Sequence, residues 1–89
     1  MNLVVVEYFY NSVCPYCPAA KSLITKVVEG IKDIEFVEVN TYTEEGIERG
    51  IFLNLMAVPA IAVDGIIKMT GWPFEADDLI NFIDEARNI

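Results

Sequence analysis

The sequence predicts an α/β fold in which helices cover a four-stranded mixed sheet, in the order β-α-β-α-β-β-α. Short apolar runs alternate along the chain with stretches whose apolar residues recur at helical spacing. The last two runs are joined by Asp64-Gly65, a pair typical of a hairpin turn. A right-handed crossover followed by that hairpin places helices on both faces of one sheet.

The first predicted strand, Leu3 to Tyr10, is apolar and aromatic except at Glu7. Such a run is typical of a strand buried on both faces, so we expect it inside the sheet. A short loop of residues 11–13 leads to a helix that we expect to begin at Pro15, where a missing N–H costs nothing, and to stop near Gly30. The apolar stripe of this helix comprises Ala19, Ala20, Leu23, Ile24, Val27, Val28 and Ile31.

Three further strands are predicted after this helix. Ile34 to Val39 alternates imperfectly between apolar and acidic residues, as in a strand with one buried face. Val58 to Val63 and Ile66 to Met69 flank the Asp64-Gly65 turn, so we expect them to form the arms of a hairpin.

The helix between the second and third strands is the least regular of the three. Thr41-x-x-Glu44 resembles a capping box that opens it. Gly46 and Gly50 each weaken it by about 1 kcal/mol relative to alanine, and Asn54 is expected to end it in a left-handed turn. The helix carries Ile47, Ile51 and Leu55 on one face.

The last helix is predicted to run from Phe74 or Glu75 to Asn88. Acidic residues in its first turn and Arg87 in its last turn both suit the helix dipole. Its expected inner face comprises Leu79, Ile80, Phe82, Ile83 and Ala86.

The composition favours a small acidic domain. With 89 residues, 54% of them hydrophobic, we expect one globular domain over residues 1–89, acting as a monomer. A net charge of −8 disfavours nucleic acid and anionic membranes as partners. The N-terminus lacks the pattern of an export signal, and no apolar run reaches the roughly 18 residues that span a bilayer, so we expect a cytoplasmic protein.

The two cysteines give the clearest chemical signal. Cys14-Pro15-Tyr16-Cys17 opens the first predicted helix, where unpaired N–H groups and the helix dipole favour a thiolate. A Cys-X-X-Cys motif at such a position lowers a thiol pKa from about 8.5 to about 7 or below. We therefore expect Cys14 to be an exposed nucleophile and Cys17 to be a buried thiol that resolves the mixed disulfide.

A metal site is the alternative use of this pair. Two cysteines supply half of the four ligands that zinc or an iron–sulfur cluster takes, and the chain has no histidine. A metal or cluster would need a dimer or an outside thiol. We favour redox chemistry and expect no metal and no other cofactor.

Three motifs together resemble the small thioredoxin-like and glutaredoxin-like proteins of archaea. They are Cys14-Pro15-Tyr16-Cys17-Pro18-Ala19-Ala20-Lys21, Met56-Ala57-Val58-Pro59-Ala60-Ile61 and Gly71-Trp72-Pro73. The resemblance covers nearly the whole chain and implies a thioredoxin-like fold. It also implies that Pro59 is cis and packs beside the disulfide, that the Val58 backbone pairs with a bound polypeptide, and that Gly71 ends the last strand near the same groove. The candidate substrate-binding residues are thus Pro15, Tyr16, Val58, Pro59 and Gly71.

The resemblance leaves two substrate classes. Cys-Pro-Tyr-Cys is similar to the glutaredoxin motif, yet Thr70-Gly71 stands where glutaredoxins usually have two glycines, and residues 11–13 are neutral where they usually carry a basic residue. Glutathione is also anionic, as this chain is. We therefore favour exchange with protein disulfides, with electrons from a separate reductase or a small thiol. The alternatives are a glutathione-dependent glutaredoxin, a dimeric metal or cluster carrier, and a peptide-binding module with incidental thiols.

Glu7, the charged residue of the first strand, has two interpretations. It takes the proton of Cys17, a role similar to that of the buried aspartate in thioredoxins, or it is a solvated or ion-paired carboxylate. We favour the second, because in register the thioredoxin position falls on Tyr8, one residue later and on the opposite face of the strand.

Overall fold

A computed structural model describes residues 3–87, which form seven elements in the predicted order. The strands are β1 (Val4–Tyr10), β2 (Ile34–Asn40), β3 (Ala60–Val63) and β4 (Ile66–Thr70). The helices are α1 (Cys17–Glu29), α2 (Glu44–Phe52) and α3 (Ala76–Arg87). Asn88, the predicted end of the last helix, lies outside the described residues. No helix in this range is long and apolar enough to cross a membrane.

The four strands form one mixed sheet in the order β2-β1-β3-β4. β1 runs parallel to β2 and antiparallel to β3, and β3 is antiparallel to β4. Asp64 and Gly65, with φ of 50° and 83°, make the hairpin turn between β3 and β4. The mixed sheet and the interior position of the long apolar strand are therefore confirmed.

One face of the sheet packs against α1 and α3 and holds the larger apolar core. Every second residue of β1 points to this face, and the central residues of both predicted helical stripes meet it, although Ala19 is exposed. The side chains buried here to 1% exposure or less include Val4, Val6, Tyr8, Ala20, Ile24, Ile61, Val63, Leu79 and Ile83.

The opposite face is built around Phe9, Ala60 and Ala62, with α2 outside it, and most of the apolar face predicted for this helix points to solvent. Ile47 and Ile51 are 50% and 72% exposed, whereas the two glycines of α2 are buried. Of the predicted apolar set, Leu55 alone packs on this smaller core. The helix meets the rest of the fold through its glycine side, not its apolar side.

Gly46 explains this orientation. A Cβ atom built on it overlaps the carbonyl oxygen of Asn40 and comes within 2.7 Å of the carbonyl carbon, so only glycine permits this close approach. A Cβ atom on Gly50 meets only the Leu55 side chain, at ordinary contact distances of 3.5–3.6 Å. The first glycine is thus a requirement of the packing, and the second is not.

The predicted capping residue of α2 is also wrong by two positions. Thr43 is the N-cap, and its hydroxyl oxygen accepts a hydrogen bond from the N–H of Gly46 at 3.0 Å. The Thr41 hydroxyl instead donates a hydrogen bond to the Tyr10 carbonyl at 2.9 Å, and this bond links the ends of β1 and β2. Asn54, with φ of 58°, adopts the left-handed conformation expected after this helix.

Candidate active site

The two cysteines form a disulfide at the start of α1, with their Cα atoms 5.4 Å apart. The helix begins at Cys17, not at Pro15. Tyr16 is its N-cap residue, and the Tyr16 carbonyl accepts a hydrogen bond from the N–H of Ala20 at 3.0 Å. The predicted start is wrong because the chain offers two prolines, and it is Pro18 that occupies the first helical turn.

The two cysteines differ in burial. Cys17 is 4% exposed and belongs to the larger core, while Cys14 is half-buried and packs against the edge of that core. Pro15 and Tyr16, between them, are exposed. Cys14 is therefore the more accessible of the pair, although it is less exposed than the sequence led us to expect.

Tyr8 lies beneath the disulfide and ties β1 to α1. Its hydroxyl donates a hydrogen bond to the Cys17 carbonyl at 2.7 Å, and its ring stacks on that of Tyr10 with centroids 5.4 Å apart. Burial, followed by the nearby charges of Glu38 and Tyr10, raises the pKa of Tyr8 to about 12. The hydroxyl is therefore a neutral donor at neutral pH.

A cleft of about 310 Å³ opens beside the disulfide. At its rim the Lys21 ammonium lies 3.1 Å from the Glu38 carboxylate, so an ion pair joins α1 to β2 there. Sequence reasoning did not assign these side chains to a site, although two tyrosines alternate along the strand that leads into the cysteine motif. The lining consists of Tyr8, Tyr10, Asn11, Ser12, Cys14, Cys17, Pro18, Lys21 and Glu38.

The second group of candidate residues lies at the same end of the sheet. Pro59 directly precedes Ala60, which pairs with Phe9 near the carboxyl end of β1, and the cysteine loop leaves from that end. The Pro59 carbonyl accepts a hydrogen bond from the N–H of Gly71 at 2.8 Å. This bond holds the start of β3 to the residue after β4, and Gly71 has a φ of 78°, which favours glycine.

The Val58–Pro59 peptide bond is cis, as the resemblance implies. Pro59 is fully buried and Val58 half-buried. The Trp72–Pro73 bond is also cis, which the sequence did not predict.

Glu7 lies on the opposite face of β1 from Tyr8 and is 6% exposed. Its two carboxylate oxygens accept hydrogen bonds of 2.7 Å and 2.8 Å from the Arg49 guanidinium of α2. The hydrogen bond to Glu7 raises the pKa of Arg49 above its usual value. The ion-paired interpretation is therefore confirmed. The other interpretation, in which Glu7 takes the proton of Cys17, is wrong, because the Glu7 carboxylate lies on the face of β1 opposite to the core that contains Cys17.

The remaining chemistry of the site rests on its two sulfurs. Within residues 3–87, no group of three or more cysteine, aspartate or glutamate side chains is placed to hold a metal ion. The two cysteines form a disulfide at the start of a helix, beside an open cleft. This arrangement is suited to thiol–disulfide exchange. The fold and the site together define a disulfide oxidoreductase.

Comparison with known proteins agrees with this class. The family model of the thioredoxin domain matches residues 2–84. The thioredoxin of Methanocaldococcus jannaschii is 34% identical over 76 residues, which cover 82% of this chain and 85% of that protein. A probable thioredoxin of Methanothermobacter thermautotrophicus is 38% identical over 74 residues, covering 80% and 82%. A thioredoxin f2 solved in complex with ferredoxin:thioredoxin reductase shares the fold at 18% identity, with a TM-score of 0.75 over 96% of this chain and 78% of that one.

The chain therefore belongs to the thioredoxin family, and it is a thiol–disulfide oxidoreductase.

Proposed function

We propose that this protein reduces disulfides in other proteins, with Cys14 as the attacking sulfur and Cys17 as the resolving sulfur. One observation carries the proposal: the half-buried Cys14 and the 4% exposed Cys17 form a disulfide at the N-terminus of α1. The attacking thiolate has to reach a large substrate, whereas the resolving thiol needs only to reach its neighbour. The difference in burial supports that assignment.

The reaction has two exchange steps. In the reduced protein, the Cys14 thiolate attacks one sulfur of the substrate disulfide, and the other substrate sulfur leaves as a thiolate. The Cys17 sulfur, after losing its proton, then attacks Cys14 and releases the second substrate thiolate. Two electrons pass to the substrate, and the protein is left with the internal Cys14–Cys17 disulfide.

Helix α1 favours this chemistry at its first turn. The N–H groups that lack helical partners and the positive end of the dipole stabilise negative charge on a nearby sulfur. The Tyr8 hydroxyl already binds the Cys17 carbonyl, so it holds the motif against β1 without competing for the sulfur.

Substrate binding is assigned to the residues that flank the disulfide. We infer that an extended substrate segment pairs with the backbone of Val58, ahead of the buried Pro59, in the manner of an added strand. The hydrogen bond between Gly71 and Pro59 supports this site by fixing its two backbone segments together. The exposed Pro15 and Tyr16 offer the apolar surface on the other side of the cysteines.

The electron donor is proposed to be a reductase protein. A thioredoxin f2 with the same fold forms a complex with ferredoxin:thioredoxin reductase. The net charge of −8 also disfavours glutathione, which is itself an anion.

A side-by-side turnover assay tests this function. The protein is supplied either with a thioredoxin-reductase-type enzyme or with glutathione and its reductase, and insulin reduction is followed. We expect turnover with the reductase, its complete loss in Cys14→Ser, and release of substrate blocked in Cys17→Ser. Turnover with glutathione alone, together with removal of glutathione from proteins that persists in Cys17→Ser, would support the glutaredoxin alternative instead.

A further inference from the structure

Helix α2 turns an apolar stripe towards solvent. Ile47 and Ile51, one turn apart, are 50% and 72% exposed, and Glu44 and Glu48 lie beside them on the same side of the helix. We call these four residues the α2 outer face. Isolated exposed apolar residues are common on proteins, but neighbouring ones with a charged border are typical of an interaction surface.

The orientation of α2 is fixed by two specific contacts on its other side. Gly46 lies against the Asn40 backbone, where a Cβ atom would overlap it, and Arg49 makes two hydrogen bonds to the buried Glu7. Turning the helix about its axis to bury Ile47 and Ile51 would break both contacts. The outward position of the isoleucines is therefore built into the fold.

The charge around the isoleucines indicates what the surface binds. Among residues 3–87, neither Glu44 nor Glu48 takes part in an ion pair or a side-chain hydrogen bond. Both glutamates are exposed, in a chain whose net charge is −8. This arrangement attracts a basic surface and repels an acidic one.

We propose that the α2 outer face is a docking surface for a protein partner that presents an apolar patch bordered by lysine or arginine. Resting on the proposed function, this partner also exchanges disulfides with Cys14. The isoleucines would enter the apolar patch, and Glu44 and Glu48 would pair with its basic border. A second copy of the chain fits poorly, because a symmetric contact through this face sets the glutamates of one copy against those of the other.

Binding is tested with a defined probe, a fluorescent amphipathic peptide of leucine and lysine that contains no cysteine. A matched peptide has glutamate in place of lysine. Fluorescence anisotropy with the oxidised protein should show saturable binding of the lysine peptide and none of the glutamate peptide. Equal binding of both peptides, or binding of neither, would overturn the proposal.

Variants place the binding on α2. Ile47→Ser with Ile51→Ser should weaken binding of the lysine peptide by about tenfold or more, because the complex loses two isoleucines that the peptide would cover. Ile66→Ser on β4, where the isoleucine is 59% exposed, is the matched control and should leave the affinity within about twofold. An equal loss in both variants would overturn the assignment to this face.

The role of charge is tested with two double variants that have the same net charge as each other. Glu44→Gln with Glu48→Gln removes two charges from the α2 outer face, while Glu29→Gln with Glu85→Gln removes two exposed charges from α1 and α3. We expect several-fold weaker binding in the first pair and little change in the second. The same loss of affinity in both pairs would show that the peptide responds to the overall charge of the protein, and it would overturn the role given to Glu44 and Glu48.

The oligomeric state is measured by sedimentation equilibrium. A wild-type dimer that Ile51→Ser dissociates would show that a second copy occupies the surface, and it would overturn the proposal.

A turnover arm separates this proposal from the proposed function. With the lysine peptide tethered to a disulfide as substrate, the isoleucine variants should raise KM by about tenfold at unchanged kcat. They should leave the reduction of a small neutral disulfide unaltered. Cys14→Ser should abolish turnover but keep peptide binding. Unchanged KM would contradict docking, whereas binding without any turnover in the wild type would contradict the redox assignment alone.

Discussion

The two faces of the sheet are stabilised in different ways. The face under α1 and α3 buries large apolar side chains, among them Ile24, Leu79 and Ile83. The face under α2 has a small apolar core, and α2 itself is held by a glycine contact and by the ion pair of Arg49 with Glu7. An apolar stripe therefore shows that the two sides of a helix differ in polarity, but it does not show which side is buried.

The two faces also differ in the functional residues that they carry. The disulfide lies on the side of α1 and α3, where Cys17 belongs to the larger core and accepts the hydrogen bond from Tyr8 through its carbonyl. A closely packed core resists displacement, so it can hold the two sulfurs in a constant position. The α2 face, by contrast, carries exposed apolar surface that the redox site does not use.

The greatest loss of stability is expected on the face under α1 and α3. Leu79→Ala should lower the free energy of unfolding by about 2–5 kcal/mol, because it leaves a cavity in the larger core. Ile51→Ala, on the outer side of α2, should change it by less than about 0.5 kcal/mol. Urea denaturation of the oxidised proteins measures both, and similar losses in the two variants would contradict the outward position of Ile51 on α2.

The ion pair across the α2 face gives the next effect. Arg49→Met should cost about 3 kcal/mol, since it leaves the buried Glu7 carboxylate without its partner. Adding Glu7→Leu should recover part of this loss, because two apolar groups then replace the pair. Urea midpoints of the two single variants and the double variant give the coupling, and strict additivity would show that the pair does not hold the helix.

The two glycines of α2 should respond differently to the same substitution. Gly46→Ala should destabilise the protein by about 1–3 kcal/mol, because the new methyl group overlaps the Asn40 carbonyl. Gly50→Ala should be neutral or stabilising by about 0.5–1 kcal/mol, since alanine favours a helix and meets only the Leu55 side chain there. Thermal unfolding of the pair checks this, and the opposite order of stabilities would show that α2 packs differently.

The smallest effect concerns Tyr8. The pKa of this tyrosine is raised from 10.0 to about 12 in the folded protein, so its contribution to stability is complete below pH 10 and is lost as the pH rises towards 12. Tyr8→Phe should cost about 1 kcal/mol at pH 8 by removing the bond to the Cys17 carbonyl. It should also flatten the decline in stability between pH 10 and 12. An equally steep decline in the variant would assign it to other groups.

Much of the fold was predictable because its signals are local. Asp64-Gly65 specifies its own turn, and the stripe around Ile24 needs no distant partner to be read. The start of α1 and the cap of α2 were misplaced, because Pro15 and Pro18, like Thr41 and Thr43, suit the same role equally well. The choice was made by contacts such as the bond from Thr41 to Tyr10, which link residues distant in sequence.

The candidate site was predictable to a similar degree. Cys14 and Cys17 stand in a motif whose spacing alone permits a disulfide. The cleft beside them depends on register, since Glu38 faces Tyr8 only because β2 pairs with β1 at that residue. The partnership of Glu7 with Arg49, 42 residues apart, likewise has no local signal.

The identity of the attacking sulfur is tested most directly by trapping the mixed disulfide. Reduced Cys17→Ser and reduced Cys14→Ser are each mixed with the same disulfide-containing protein, and intact-mass and peptide mass spectrometry locate the adduct. We expect a stable adduct at Cys14 in the first variant and almost none in the second, because Cys17 is buried. Equally fast capture through Cys17 would contradict the proposed roles of the two cysteines.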